Sequence, residues 1–400
     1  MTLLQVSPQI VRLDNADGGA NLFKGTLPSG CAQCREGAKM VVFITGECSR
    51  KCYYCPLSEE RWQHDVVLAN ETKIGLGEPD LDAIYAEAEA MRALGTGITG
   101  GDPMEKPQRC LTLIRGLKER FGPSHHVHLY TTGRFDPAYL QQLADAGLDE
   151  LRYHPPFPIW DQMEGTGLAA HIAAAVEVGR HAPMRIGLEI PAIPKAEERT
   201  LALLRWATDT GLTYCNLNEL EFSHTNYDRM TRMGQHLAGD SSNHALGSRS
   251  CAETILSRYV GPMTVHFCTS AYKDGVQLRQ RFLRRAETIQ RPHEEVTEDG
   301  TILLGVIEGV EPTLEALTAA RNVLLEQHDV PEELVVIDLA RMRLEVAWWV
   351  IEELADSLPW PCYLSEEHPT SQRFEVEREP LGKRALAAAM AAVPQWLREQ

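Results

Sequence analysis

Between Lys39 and residue 220 the chain alternates short apolar, β-branched runs with amphipathic segments at a repeat of roughly 30 residues, the rhythm of a parallel sheet with helical crossovers. Residues 39–45, KMVVFIT, lie between charge and glycine and read as a buried strand. Leu81, Ile84, Ala88, Met91 and Leu94 then share one helical face, and Gly95 stands where a helix C-cap belongs. Ile98 begins the next strand, and Pro107 opens a helix carrying Leu111, Ile114 and Leu117 that Gly122-Pro123 stops. His126–Thr131 alternates as a strand, and Asp136-Pro137 opens a helix ending at Gly147. Residues 149–153, 184–190 and 212–217 read as further strands, separated by helices near 168–180 and 196–210. Six strand–helix units predict an α/β fold.

The rhythm fails over 225–262, where GDSSNHALGSRS suggests a loop or insertion, and a last helix is expected over 275–289. From about 293 the pattern becomes strand 301–308, helix 312–326, strand 334–339, helix 343–357 and an extended tail, which predicts a smaller C-terminal α/β domain. The expected organisation is therefore an N-terminal segment 1–38, a main domain 39–290 and a small domain 291–400.

Ten cysteines need a chemical context. No stretch approaches the ~18 apolar residues of a membrane span, and MTLLQVSPQIVRLD lacks a basic flank before an apolar run, so a soluble, cytoplasmic protein with reduced thiols is expected. The 39 basic against 56 acidic residues, net −17, disfavour a general phosphate-binding surface. Cys48, Cys52 and Cys55 form C-x3-C-x2-C directly after the first strand, a spacing that chance produces roughly 0.006 times in such a chain. Three thiolates can hold three irons of a [4Fe–4S] cube and leave the fourth iron open. The alternative is a closed zinc or iron–sulfur site completed by a distant side chain such as His64.

In this context the three-cysteine loop, with Tyr54 before its last cysteine, resembles the signature of the radical S-adenosylmethionine (SAM) superfamily. Ile98-Thr-Gly100-Gly101-Asp102-Pro103 is similar to the segment that holds the SAM amino group, with aspartate where glutamate is more common. Arg185-Ile-Gly187-Leu-Glu189-Ile190 resembles, more weakly, the strand near the SAM ribose and adenine, so Glu189 is either a cofactor contact or a paired interior acid. The resemblance covers residues 39–220 and implies a partial (β/α)6 TIM-like barrel with its chemistry at the C-terminal ends of the strands. GAKMVVFITGECSRKCYYCPLSEERW, VVLANET and VHFCTSAYKDGVQLRQRFLRRAE are similar to an archaeal-type group described as related to pyruvate formate-lyase activating enzymes, a description that assigns no substrate.

What the resemblance implies is reductive cleavage of SAM at a [4Fe–4S] cluster on Cys48, Cys52 and Cys55, and hydrogen abstraction from an unidentified substrate, whether small molecule, peptide or RNA. A low-potential electron donor such as ferredoxin or flavodoxin follows. Two alternatives stand: a glycyl-radical-enzyme activase, and a non-enzymatic iron–sulfur or zinc protein binding a nucleic acid or protein partner. No D-x-H-x-x-G segment marks a cobalamin site.

Of the other cysteines, Cys31 and Cys34 have a metal-knuckle spacing, and Cys251 and Cys268 are the next candidates for a second site holding zinc or an auxiliary cluster. Cys110, Cys215 and Cys362 read as buried apolar residues. His126 and His128 share a strand face, with a structural role expected. Arg152 and His154 point toward the expected active mouth. The basic run from Lys273 to Arg291 reads as a solvated helix face.

Overall fold

The computed structural model describes residues 9–14, 19–240 and 242–392, so parts of the N-terminal segment and the end of the tail lie outside the described residues. The chain divides into two compact units, Met1–Gln280 and Arg281–Gln400.

The first unit is built on parallel strands in chain order: Lys39–Phe43, Gly95–Thr99, His126–Thr131, Glu150–Tyr153, Arg185–Ala192 and Tyr214–Glu219, the six expected, then a seventh, Thr264–Cys268. Each strand pairs with its predecessor, so every crossover moves the same way and the helices collect on one face, which curls the sheet into a partial barrel. Antiparallel segments flank both edges: Val66–Ala69 with Thr72–Leu76 beside the first strand, and Asn21–Lys24 with Val11–Leu13 beside the seventh. The apolar core lies between sheet and helices, where Ile84, Met91, Leu111, Ile114 and Leu117 are fully buried.

The stretch read as a loop holds the missing crossover: Gly247, at φ +87°, precedes helix Ser248–Arg258, which leads into the seventh strand. Gly247-Ser-Arg-Ser is polar, yet Cys251, Ala252, Ile255 and Leu256 give that helix its buried face.

The second unit is an antiparallel sheet in the order Val335–Asp338, Arg343–Val346, Ile302–Ile307, Cys362–Glu367, Glu375–Leu381. The expected helix over 343–357 begins instead as a strand, because Leu344 and Val346 alternate with Glu345 and pair with both neighbours; only Trp348–Leu354 is helical. The tail supplies two strands. The division at Gln280 falls within helix Arg279–Ile289, whose Ala286 packs with Ile302, Leu304 and Val306.

Candidate active site

Cys48, Cys52 and Cys55 line one cavity of about 490 Å³ at the C-terminal ends of the parallel strands. The loop carrying them is tied down along its length. Gly46 N–H donates to His64 O at 2.8 Å, Gln63 Nε2 to Cys48 O at 2.7 Å, and Ser49 N–H to Glu105 Oε1 at 3.0 Å. Asn226 Nδ2 donates to Tyr54 O at 3.0 Å and Arg229 Nη2 to Cys55 O at 3.2 Å. Sequence reasoning missed these last two clamps, which lie in the stretch read as a loop.

Burial pushes the Cys48 thiol up to about 11 and raises Cys52, so these sulfurs keep their protons until a metal displaces them. Among the described residues no three cysteine sulfurs lie within 4.8 Å of one another. Ligands of one zinc ion, each at ~2.3 Å, would be that close. The triad is therefore not gathered around a single ion, and its fit to a cluster rests on the C-x3-C-x2-C spacing, which gives each thiolate its own iron. His64 is not on the cavity wall, and its ring hydrogen-bonds Glu60 O at 3.0 Å.

Tyr54 is buried, and its hydroxyl donates to His154 Nε2 at 2.9 Å while His154 Nδ1 donates to Glu189 O at 2.7 Å. Gly100 and Gly101 line the cavity, but their need for glycine comes from behind. A Cβ on Gly100 would stand 2.4 Å from Thr45 O, and one on Gly101 2.3 Å from Glu47 O. Gly101 N–H donates to Thr45 O and Asp102 N–H to Glu47 O, both at 2.8 Å. Asp102 and Pro103 are off the cavity wall. The Asp102 carboxylate is 2% exposed and already accepts from Met104 N–H, Thr132 N–H and Thr132 Oγ1, at 3.0, 2.9 and 2.6 Å.

Of the two roles left open for it, Glu189 is the paired interior acid, accepting from Arg152 Nη1 at 3.1 Å, Asn216 Nδ2 at 2.8 Å and Asn218 Nδ2 at 2.6 Å, and it also lines the cavity. Gly187 serves a neighbour, since a Cβ there would press 2.4 Å from the Tyr214 ring. Arg152 is not a cavity contact; it is buried between Glu150 at 2.5 Å and Glu189. His126 takes the structural role expected, its ring meeting Lys39 Nζ at 2.6 Å and Glu150 at 3.2 Å, and His128 meets the Tyr130 hydroxyl at 3.1 Å.

Lys273, read as part of a solvated face, instead reaches the cavity and pairs with Glu221 at 2.7 Å. Asn216 and Asn218 were also missed. Their signal was visible: polar residues alternate along the sixth strand where a buried parallel strand is normally apolar. Of the second cysteine group, Cys31, Cys34 and Cys268 face the barrel interior, whereas Cys251 lies in helix Ser248–Arg258 with its thiol donating to Ile193 O at 3.1 Å. The helix turns Cys251 into the apolar layer, away from the other three.

A partial barrel with a three-cysteine loop after its first strand and a paired-glycine wall after its second defines a radical SAM protein. The chain belongs to the radical SAM superfamily, whose family model matches residues 42–155, and it is an enzyme of that superfamily with a [4Fe–4S] cluster and SAM as cofactors. A protein of Methanocaldococcus jannaschii, provisionally named a glycyl-radical enzyme activating enzyme, is 35% identical over 360 residues, 89% of this chain and 93% of that one. Residues 300–381 match a domain of unknown function, DUF8061.

Among solved structures, Streptococcus suis SuiB bound to S-adenosylmethionine is similar at 12% identity over 65% of this chain and 54% of that one, TM-score 0.39. The radical SAM methyltransferase TsrM from Kitasatospora setae, with cobalamin and [4Fe–4S] cluster bound, is similar at 13% identity over 63% and 52%, TM-score 0.35. The chain spans about half the length of both. Membership removes the non-enzymatic alternative. No helix among the described residues is long and apolar enough to cross a membrane.

Proposed function

We propose that Cys48, Cys52 and Cys55 hold the cluster, that the backbone at Gly100 and Gly101 receives the amino-acid end of SAM, and that the substrate enters between these and Glu189. When bound, cluster and SAM supply reductive cleavage of the sulfonium and a 5′-deoxyadenosyl radical that takes hydrogen from the substrate. The chain's own part is positional. Tyr54 and His154 form a rigid wall whose hydrogen bonds fix the imidazole tautomer, and Glu189 is held by three donors so that its carboxylate does not swing into the cavity. Asp102 supports the glycine wall through Met104 and Thr132 rather than meeting the cofactor.

The observation that carries this reading is the single cavity shared by the cysteine triad, the two glycines and Glu189. A low-potential carrier such as ferredoxin or flavodoxin would supply the electron in the cytoplasm. The relative's name favours a glycyl-radical protein as substrate. Lys273, Glu221 and Asn218 make part of the cavity wall polar, which also suits a polar small molecule. The test is anaerobic incubation with dithionite and SAM: 5′-deoxyadenosine should form with wild type and fall to background with Cys52→Ala. Cleavage that survives loss of all three cysteines would reject the assignment.

A further inference from the structure

We propose that Cys31, Cys34 and Cys268 bind a second iron–sulfur cluster inside the barrel, beside the cavity that the triad lines and that Cys34 also reaches.

The ten cysteines sort by surroundings. Cys110, Cys215 and Cys251 belong to the apolar core of the first unit and Cys362 to that of the second, where a thiol is a small apolar filler. Three are the triad. The remaining three sit among polar groups. Cys268 is 7% exposed yet belongs to no apolar cluster, and its Sγ accepts from Asn21 Nδ2 at 3.5 Å and Gln277 Nε2 at 3.4 Å. Cys31 Sγ accepts from Arg152 Nη2 at 4.0 Å, and as a thiol it donates to Asn216 Oδ1 at 3.6 Å. N–H donors aimed at buried sulfur are what metal-bound thiolates require, and they tune such centres.

The topology makes the three converge. Cys31 and Cys34 are one turn apart on helix Ser29–Arg35, hence on one face. Cys31 meets Asn216 on the sixth strand, whose neighbour on the seventh is His266; Cys268 lies two residues on, facing the same way and paired with Asn218. Asn218 and Cys34 line the same cavity. The three sulfurs are not gathered within the reach of one ion, which disfavours a single zinc and leaves a cluster as the larger group for them to hold. The inference rests on the triad reading only in requiring that a first cluster be counted separately.

The full chain, purified and reconstituted anaerobically with ferrous iron and sulfide, should hold about eight irons, two [4Fe–4S] equivalents. Cys31→Ala/Cys34→Ala/Cys268→Ala should lose about half the iron and one of two electron paramagnetic resonance signals. The reciprocal Cys48→Ala/Cys52→Ala/Cys55→Ala variant should lose the other half. Cys268→Ala alone, with an unchanged circular dichroism spectrum, should alter one signal and so excludes misfolding as the cause. Wild-type iron retained by the first triple variant, or zinc in place of iron at these residues, overturns the proposal. If the second triple variant keeps all its iron while the first loses its share, the triad assignment fails and this one stands.

Discussion

At Gly101 one hydrogen atom separates a wall that fits from one that does not. Because a Cβ there would stand 2.3 Å from Glu47 O, Gly101→Ala must displace the backbone that enters the cysteine loop, at a cost of about 1–3 kcal/mol. We expect iron content and melting temperature to fall along with SAM affinity; a variant that loses only SAM binding would place the strain elsewhere. Arg152 carries a different kind of burden. Arg152→Met would leave the buried Glu150 without its arginine and take one of three donors from Glu189, and should destabilise by about 3–5 kcal/mol in denaturant titration. Burial opposes ionisation of Glu150, yet Arg152 and His126 outweigh it and hold the carboxyl well below the usual range. A depressed carboxyl contributes stability above its ordinary value of 4.5 and loses it as pH falls below that. The wild-type advantage over Arg152→Met should therefore shrink in acid.

Helix Ser29–Arg35 is the element whose importance was hardest to read. It is seven residues long, yet a Cβ on Gly30 would stand 2.6 Å from Arg152 Nη2 and 2.8 Å from His128 Nδ1. Lys39 at the start of the first strand is pinned by Gln33 of this helix and by His126, and burial lowers its ammonium to about 7. Between about pH 7 and 10.5 the unfolded chain keeps that proton while the folded chain gives it up, so this group adds stability as pH rises. Lys39→Met should flatten that gain, read as the wild-type minus variant difference in urea midpoint across the window.

The six strands were legible because each is a short apolar or alternating run between turn signals and helical patterns, and the cysteine loop because its spacing is improbable by chance. What escaped was whatever depends on partners far along the chain. Helix Ser248–Arg258 opens in a polar sequence, the strand Arg343–Val346 was masked by the apolar residues after it, and Asn226 and Arg229 acquire their roles only by meeting residues 54 and 55.

At the scale of the whole molecule, each unit has its own apolar core. Binding of SAM to the folded first unit should stabilise that unit alone, by about 2.7 kcal/mol at a concentration of 100 times Kd. Calorimetry should then show one transition moving with SAM while the other stays; a single transition moving as one would show the units unfold together. The glycine wall carries a longer consequence. Gly100 and Gly101 lean on carbonyls some 55 positions earlier in the chain, so the corner proposed to hold both cofactors is written in two distant parts of the gene. Across descendants of this protein, positions 100 and 101 should stay glycine whatever side chains stand at 45 and 47, because what they meet there is backbone.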